Sequence, residues 1–177
     1  MTGGTLERRQ ATELRASGRK LEGYAATFNT DARIGTFVET ILPGAFRGAL
    51  AGDVLALLDH DAGKVLGRTR SGTLRLWEDT RGLAFSLDLP DTAAGRDALA
   101  LAERQDLGGM SFGFNVPKGG ECWSGEKRTL SAIGLKEISV ISAWPAYPDT
   151  SLALRSRDAS NGSRQRRLIL AELGAWG

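Results

Sequence analysis

Residues 108–116 read Gly-Gly-Met-Ser-Phe-Gly-Phe-Asn-Val. Side chains alternate across a strand, so Met110, Phe112, Phe114 and Val116 fall on one apolar face and Ser111, Gly113 and Asn115 on the other. A period of two is a strand signal, and one apolar face beside one small, polar face suits a half-buried sheet. The same alternation recurs outward from this stretch. In Leu135–Ser142, Ile138 and Val140 face one way and Glu137 and Ser139 the other. Leu74 and Leu76, then Leu83, Phe85, Leu87 and Leu89, alternate with polar residues around Arg81-Gly82, the pattern of a meander.

Further toward the amino terminus, Val54–Leu58 is an apolar run short enough for a buried strand. Phe37–Leu42 is extended and leads into Pro43, Gly44 and a short helical stretch over Ala45–Ala51. Two extended runs between Ala11 and Asn29 flank Ser17-Gly18, which reads as a hairpin turn. Only two segments predict longer helices. Thr92 is placed as the N-cap of Ala93–Arg104, with Gly108 at its stop. Leu168, Ile169, Leu170, Leu173 and Trp176 cluster at helical spacing near the carboxyl end. Many short strands with few helices predict a mainly β chain, a mostly antiparallel barrel or sandwich.

At 177 residues and 41% hydrophobic content, the chain has the material for one ordinary domain with a core. The formal net charge of +2 is too near neutral to argue for nucleic acid. A single cysteine, Cys122, excludes an intrachain disulfide framework, and a single histidine, His60, argues against a multi-histidine metal cage. The opening MTGGTLERRQ lacks the apolar core of a secretory signal, and no stretch approaches the roughly 18 apolar residues of a membrane span. The expectation is a cytosolic, soluble chain without a cofactor. Residues 155–167 differ from the rest, with five arginines among serine, asparagine and glycine, which suits a flexible tether.

Three places could carry chemistry. His60 ends an apolar strand in Leu57-Leu58-Asp59-His60-Asp61, and flanking carboxylates favour its protonated form and can fix its tautomer, as a general base requires. A strand-end histidine in a polar turn is the plainer reading of the same letters. Ser111 sits between bulky core residues on a face kept bare by glycine, where it could meet a substrate; the plainer reading is a solvent-facing serine on an edge strand. Gly109-Met110-Ser111-Phe112-Gly113 matches the letters of a nucleophile elbow but lacks the helix that should follow. Glu137, on a strand face, could orient an imidazole from a neighbouring strand, although surface glutamates on strands are ordinary.

Taken in order, Gly23-Tyr24-Ala25-Ala26-Thr27-Phe28-Asn29, Pro43-Gly44-Ala45-Phe46, Asp59-His60-Asp61 with Leu66-Gly67, and Leu74-Arg75-Leu76 with Gly82-Leu83 resemble the prohead (capsid maturation) proteases of tailed bacteriophages. The resemblance continues through Gly109–Phe114 and Glu137-Ile138-Ser139 to Pro145-Ala146-Tyr147-Pro148, spanning about residues 12–155. It implies a serine endopeptidase distantly similar to herpesvirus assemblin, on a small antiparallel β-barrel surrounded by helices. The family's histidine and serine fall on His60 and Ser111. The acidic member is Glu137, with Asp61 the runner-up, and the family's frequent asparagine before the histidine is Asp59 here. The implied partners are the major capsid protein and scaffold segments as substrates, inside procapsids assembling in the bacterial host cytoplasm; no membrane is implied, and self-cleavage and a homo-oligomer stay open. Backbone amides near the glycines are candidates for holding the oxyanion.

On this reading residues 1–11 are unassigned, 12–155 form the protease domain, and 156–177 form the Arg-rich tether and terminal helix. Two other readings compete. A non-catalytic capsid-assembly protein could use the same barrel as a binding scaffold, since fold does not guarantee activity. A nucleic-acid-binding protein could work through the arginine tail, but the near-neutral remainder argues against it.

Overall fold

The computed structural model describes residues 7–11 and 14–143. The expected carboxyl-terminal helix, the arginine tether and the segment Pro145–Pro148 lie outside them. Among the described residues the chain is mainly β, with thirteen strands and one helix. In chain order the strands are β1 (Glu7–Ala11), β2 (Leu14–Ser17), β3 (Lys20–Thr27), β4 (Ala32–Ile34), β5 (Phe37–Ile41), β6 (Leu55–Leu58) and β7 (Asp61–Arg68). Then follow β8 (Leu74–Glu78), β9 (Gly82–Asp88), helix α1 (Ala93–Glu103), β10 (Gly109–Asn115), β11 (Glu121–Ser124), β12 (Lys127–Leu130) and β13 (Gly134–Ile141).

These strands build three sheets, ordered β1-β10-β13-β6-β7, β11-β12-β5-β4 and β2-β3-β9-β8. None closes into a barrel, and the described residues hold one α-helix, so the expected barrel surrounded by helices is corrected to three open sheets. The expected antiparallel pairing is also incomplete: β13 runs parallel to β6, and β12 parallel to β5. Periodicity records which face a side chain takes but carries no information on the direction of the neighbouring strand.

Local expectations fare better where chemistry is explicit. Thr92 accepts the Gly95 amide and caps α1 as its sequence requires. The β2–β3 hairpin closes over Gly18-Arg19, with Gly18 at φ +60°, one residue later than Ser17-Gly18. The helical stretch expected over Ala45–Ala51 is instead a run of tight turns, with Ala45, Arg47 and Ala49 amides bonded three residues back to Leu42, Gly44 and Phe46. Gly44 at φ +90° cannot begin an α-helix, and Gly48 and Gly52 weaken one further.

The core lies on one face of the first sheet. Register places Met110 beside Val140, and Val140 beside Leu58; the next apolar row is Phe112, Ile138 and Ala56. All six are at most 5% exposed. Phe46 packs edge-on to Phe112 at 5.7 Å between ring centroids, and Phe28 and Phe114 extend the aromatic row. The turn of Pro43-Gly44-Ala45-Phe46 thus delivers a core plug.

A charge cluster pins β1 beside β10 and joins the first sheet to the second. Glu39 on β5 accepts from Arg9 at 2.5 Å and from Arg128 at 3.0 Å, and Arg128 also reaches Glu7 and Glu121. Burial alone would raise the Glu7 carboxyl, but the Arg128 and Arg9 guanidiniums hold it below its ordinary value of 4.5. A carboxyl lowered by folding stabilises the native state above the unfolded value, and that contribution disappears as pH falls through the folded value. Glu7→Gln is therefore expected to cost about 1–3 kcal/mol at pH 7 and to lose part of the acid sensitivity below about pH 4.5. Urea midpoints of both chains at pH 7 and pH 4 check this.

Candidate active site

The other face of the first sheet alternates with the core rows. Register sets Ser111 beside Ser139 and Leu57, and Gly113 beside Glu137 and Leu55. This face is covered too: Ser111 is 1% exposed, Ser139 0% and Glu137 6%. Strand β10 is interior, paired with β1 on one side and β13 on the other, so Ser111 is neither on an edge nor facing solvent. Burying a carboxylate and two hydroxyls on one sheet face is costly without hydrogen bonds.

Glu137 and Ser139 find partners from two places. Ser139 Oγ donates to Glu137 Oε2 at 2.6 Å. His60 Nδ1 lies 2.7 Å from Glu137 Oε1 across 77 residues of sequence. With a carboxylate at Nδ1, that nitrogen carries the proton and Nε2 keeps its lone pair, the tautomer a general base needs. His60 stands in the two-residue turn between β6 and β7, and both Asp59 (φ +53°) and His60 (φ +59°) are left-handed. Two positive φ values are the pattern of a type I′ hairpin turn, and Asp is among the residues that tolerate it.

Gly113 explains how the carboxylate fits. A Cβ there would overlap Glu137 Oε1 and come 3.0 Å from Glu137 Cδ. The face that glycine was expected to keep bare for substrate is occupied by the Glu137 side chain. The oxygen held over Gly113 is the one that meets His60, and Ser111 lies two residues earlier on the same face of β10. Gly113→Ala is expected to displace Glu137 while leaving the strand intact, which shifts the NMR signal of the His60 ring with little change in melting temperature. A melting curve beside the ring spectrum separates displacement from unfolding.

Asp61, the other acidic candidate, points its Oδ1 at the Gly63 amide, 2.8 Å, and lies 3.5 Å from Lys64. Ser111 Oγ makes no hydrogen bond among the described residues. The Gly108 amide, one of those near the glycines, is committed to the Ile141 carbonyl at 2.8 Å. Ser139 carries no site signal of its own in the sequence beyond its separation of two from Glu137 on one strand face. Among the described residues no group of three or more histidine, cysteine, aspartate or glutamate side chains could hold a metal ion.

The structure brings His60 and Glu137 into contact and sets Ser111 on the same face of the sheet as Glu137, with no hydrogen bond between Ser111 and His60 among the described residues. The model of the caudovirus prohead serine proteases matches residues 5–165. The chain belongs to this family. No curated protein and no solved structure matches it. The prohead proteases of tailed bacteriophages work in capsid maturation, and the match runs through all three strands and the turn that make up the face described above. No helix among the described residues is long and apolar enough to cross a membrane.

Proposed function

We propose that this prohead protease is an active serine endopeptidase in which Ser111 is the nucleophile, His60 the general base and Glu137 the residue that orients and stabilises His60. The observation that carries the reading is the 2.7 Å contact between His60 Nδ1 and Glu137 Oε1 on the sheet face that also bears Ser111. His60 Nε2 takes the Ser111 proton as Oγ attacks the scissile carbonyl, and the tetrahedral adduct collapses when the imidazolium returns that proton to the leaving amine. Water, deprotonated by His60, then releases the acyl group and restores Ser111. Glu137 stabilises the imidazolium that forms in both halves of the cycle.

The substrates we assign are segments of the major capsid protein and scaffold, cleaved inside procapsids in the host cytoplasm, with residues 12–155 as the protease domain and 156–177 as a tether. The family assignment supports the substrate class. Co-expression with the capsid and scaffold proteins of the same phage tests it. A shortened capsid protein or degraded scaffold, with new ends located by mass spectrometry, is the expected result. Intact partners in assembled procapsids would instead favour a non-catalytic assembly role.

A further inference from the structure

His60 is delivered by the two-residue turn that joins β6 to β7. Strand β6 is four residues long, Asp59 is exposed, and two successive non-glycine residues hold left-handed backbone. Three hydrogen bonds from one residue tie this turn down. The Asp59 amide donates to the Val140 carbonyl at 2.9 Å. Asp59 Oδ1 accepts the Ser142 amide at 2.8 Å, and Oδ2 accepts the Ser142 hydroxyl at 2.6 Å. Val140 is the last residue of β13 paired with β6, opposite Leu58, and Ser142 follows β13 directly. The carboxylate therefore grips the end of the strand that carries Glu137, at the point where the β6–β13 ladder stops and the His60 turn begins.

We propose that Asp59 is a positioning residue for His60: its side chain latches the turn to Ser142 and so sets the distance between the imidazole and Glu137. The inference rests on the proposed protease reading. The imidazole is 21% exposed and hangs from a two-residue turn, so its single bond to Glu137 does not by itself fix the turn against β13. Misplacing a catalytic group by about 1 Å costs on the order of 100-fold in rate. The Asp59 carboxylate acts through geometry, because both of its oxygens are engaged by Ser142.

Asp59→Gly tests this cleanly, since glycine accepts the left-handed backbone while the latch is lost. In the full chain it is expected to lower kcat on purified capsid protein by about tenfold, with KM within about twofold. Asp59→Asn keeps an acceptor for the Ser142 amide and a donor for its hydroxyl, so it should retain at least about half of kcat. Ser142→Ala, which removes one of the two side-chain bonds, should lose about threefold. Because His60 is the only histidine, its ring nitrogens give an unambiguous NMR signal, expected to broaden or double in Asp59→Gly. An Asp59→Gly chain with unchanged kcat and ring spectrum overturns the latch. An Asn variant as impaired as the Gly variant assigns Asp59 an electrostatic role instead. Should Asp59→Gly fail to fold, unchanged kcat in Ser142→Ala is the overturning result. If the wild-type chain cleaves nothing, the protease reading fails, and the ring spectrum still decides the latch.

Discussion

Ser111→Ala is expected to abolish capsid-protein cleavage while leaving the fold unchanged. Loss of a nucleophile from a serine–histidine–carboxylate set can cost about six orders of magnitude in kcat, because the remaining members have no bond to make. The stability cost should be small. Ser111 is 1% exposed, yet its hydroxyl makes no hydrogen bond among the described residues, so alanine removes a desolvated polar atom and opens little space. The melting temperature should therefore stay the same or rise slightly. Undiminished cleavage by purified Ser111→Ala, prepared free of host proteases, would sink the nucleophile assignment.

The second large effect is expected from Glu137→Gln. The shape is conserved, but the amide has one donor end and one acceptor end. If Ser139 Oγ keeps donating, as it now does to Glu137 Oε2 at 2.6 Å, the carbonyl oxygen takes that place and the NH₂ faces His60 Nδ1. Nδ1 must then accept, the proton moves to Nε2, and the imidazole can no longer take a proton from Ser111. The analogous change in a serine protease triad lowers kcat about 10⁴-fold with the geometry intact, and a similar loss with little change in KM is expected here. Asp61→Asn should stay within about threefold of wild type, since its carboxylate serves the Gly63 amide and Lys64. A crippled Asp61→Asn beside an active Glu137→Gln would exchange the two roles. Measuring kcat and KM for both variants on the same capsid substrate makes the comparison.

The sequence alone marked β2, β3, β5, β6, β8, β9, β10 and β13 as extended and separated the two faces of β10 and β13, because side-chain alternation is a local property of extended backbone; it gave no sign of β1, β4, β7, β11 or β12. Alternation was enough to separate Met110, Phe112 and Phe114 from Ser111, and Ile138 and Val140 from Glu137 and Ser139. The sequence also specified the Thr92 cap, where a side chain meets an amide three residues away. The candidate residues His60, Ser111 and Glu137 came from the ordered motifs, which name chemical groups but contain no distances. The strand face favoured Glu137 over Asp61, but the contact itself was beyond the sequence: Asp61 is adjacent to His60 in the chain, and the parallel pairing of β13 with β6 is what brings Glu137 to 2.7 Å from His60.

Tertiary structure decided the rest. Gly113 looked like open surface, but across the β10–β13 ladder the missing side chain is the space that Glu137 fills. Asp59 looked like a charge beside an imidazole, whereas its carboxylate bonds to Ser142, 83 residues away. The barrel expectation failed for the same reason. Strand direction and sheet closure depend on which edges meet, and edges meet through backbone N–H and C=O groups that are the same at nearly every position of a sequence. Side-chain pattern fixes faces; only the folded backbone fixes neighbours.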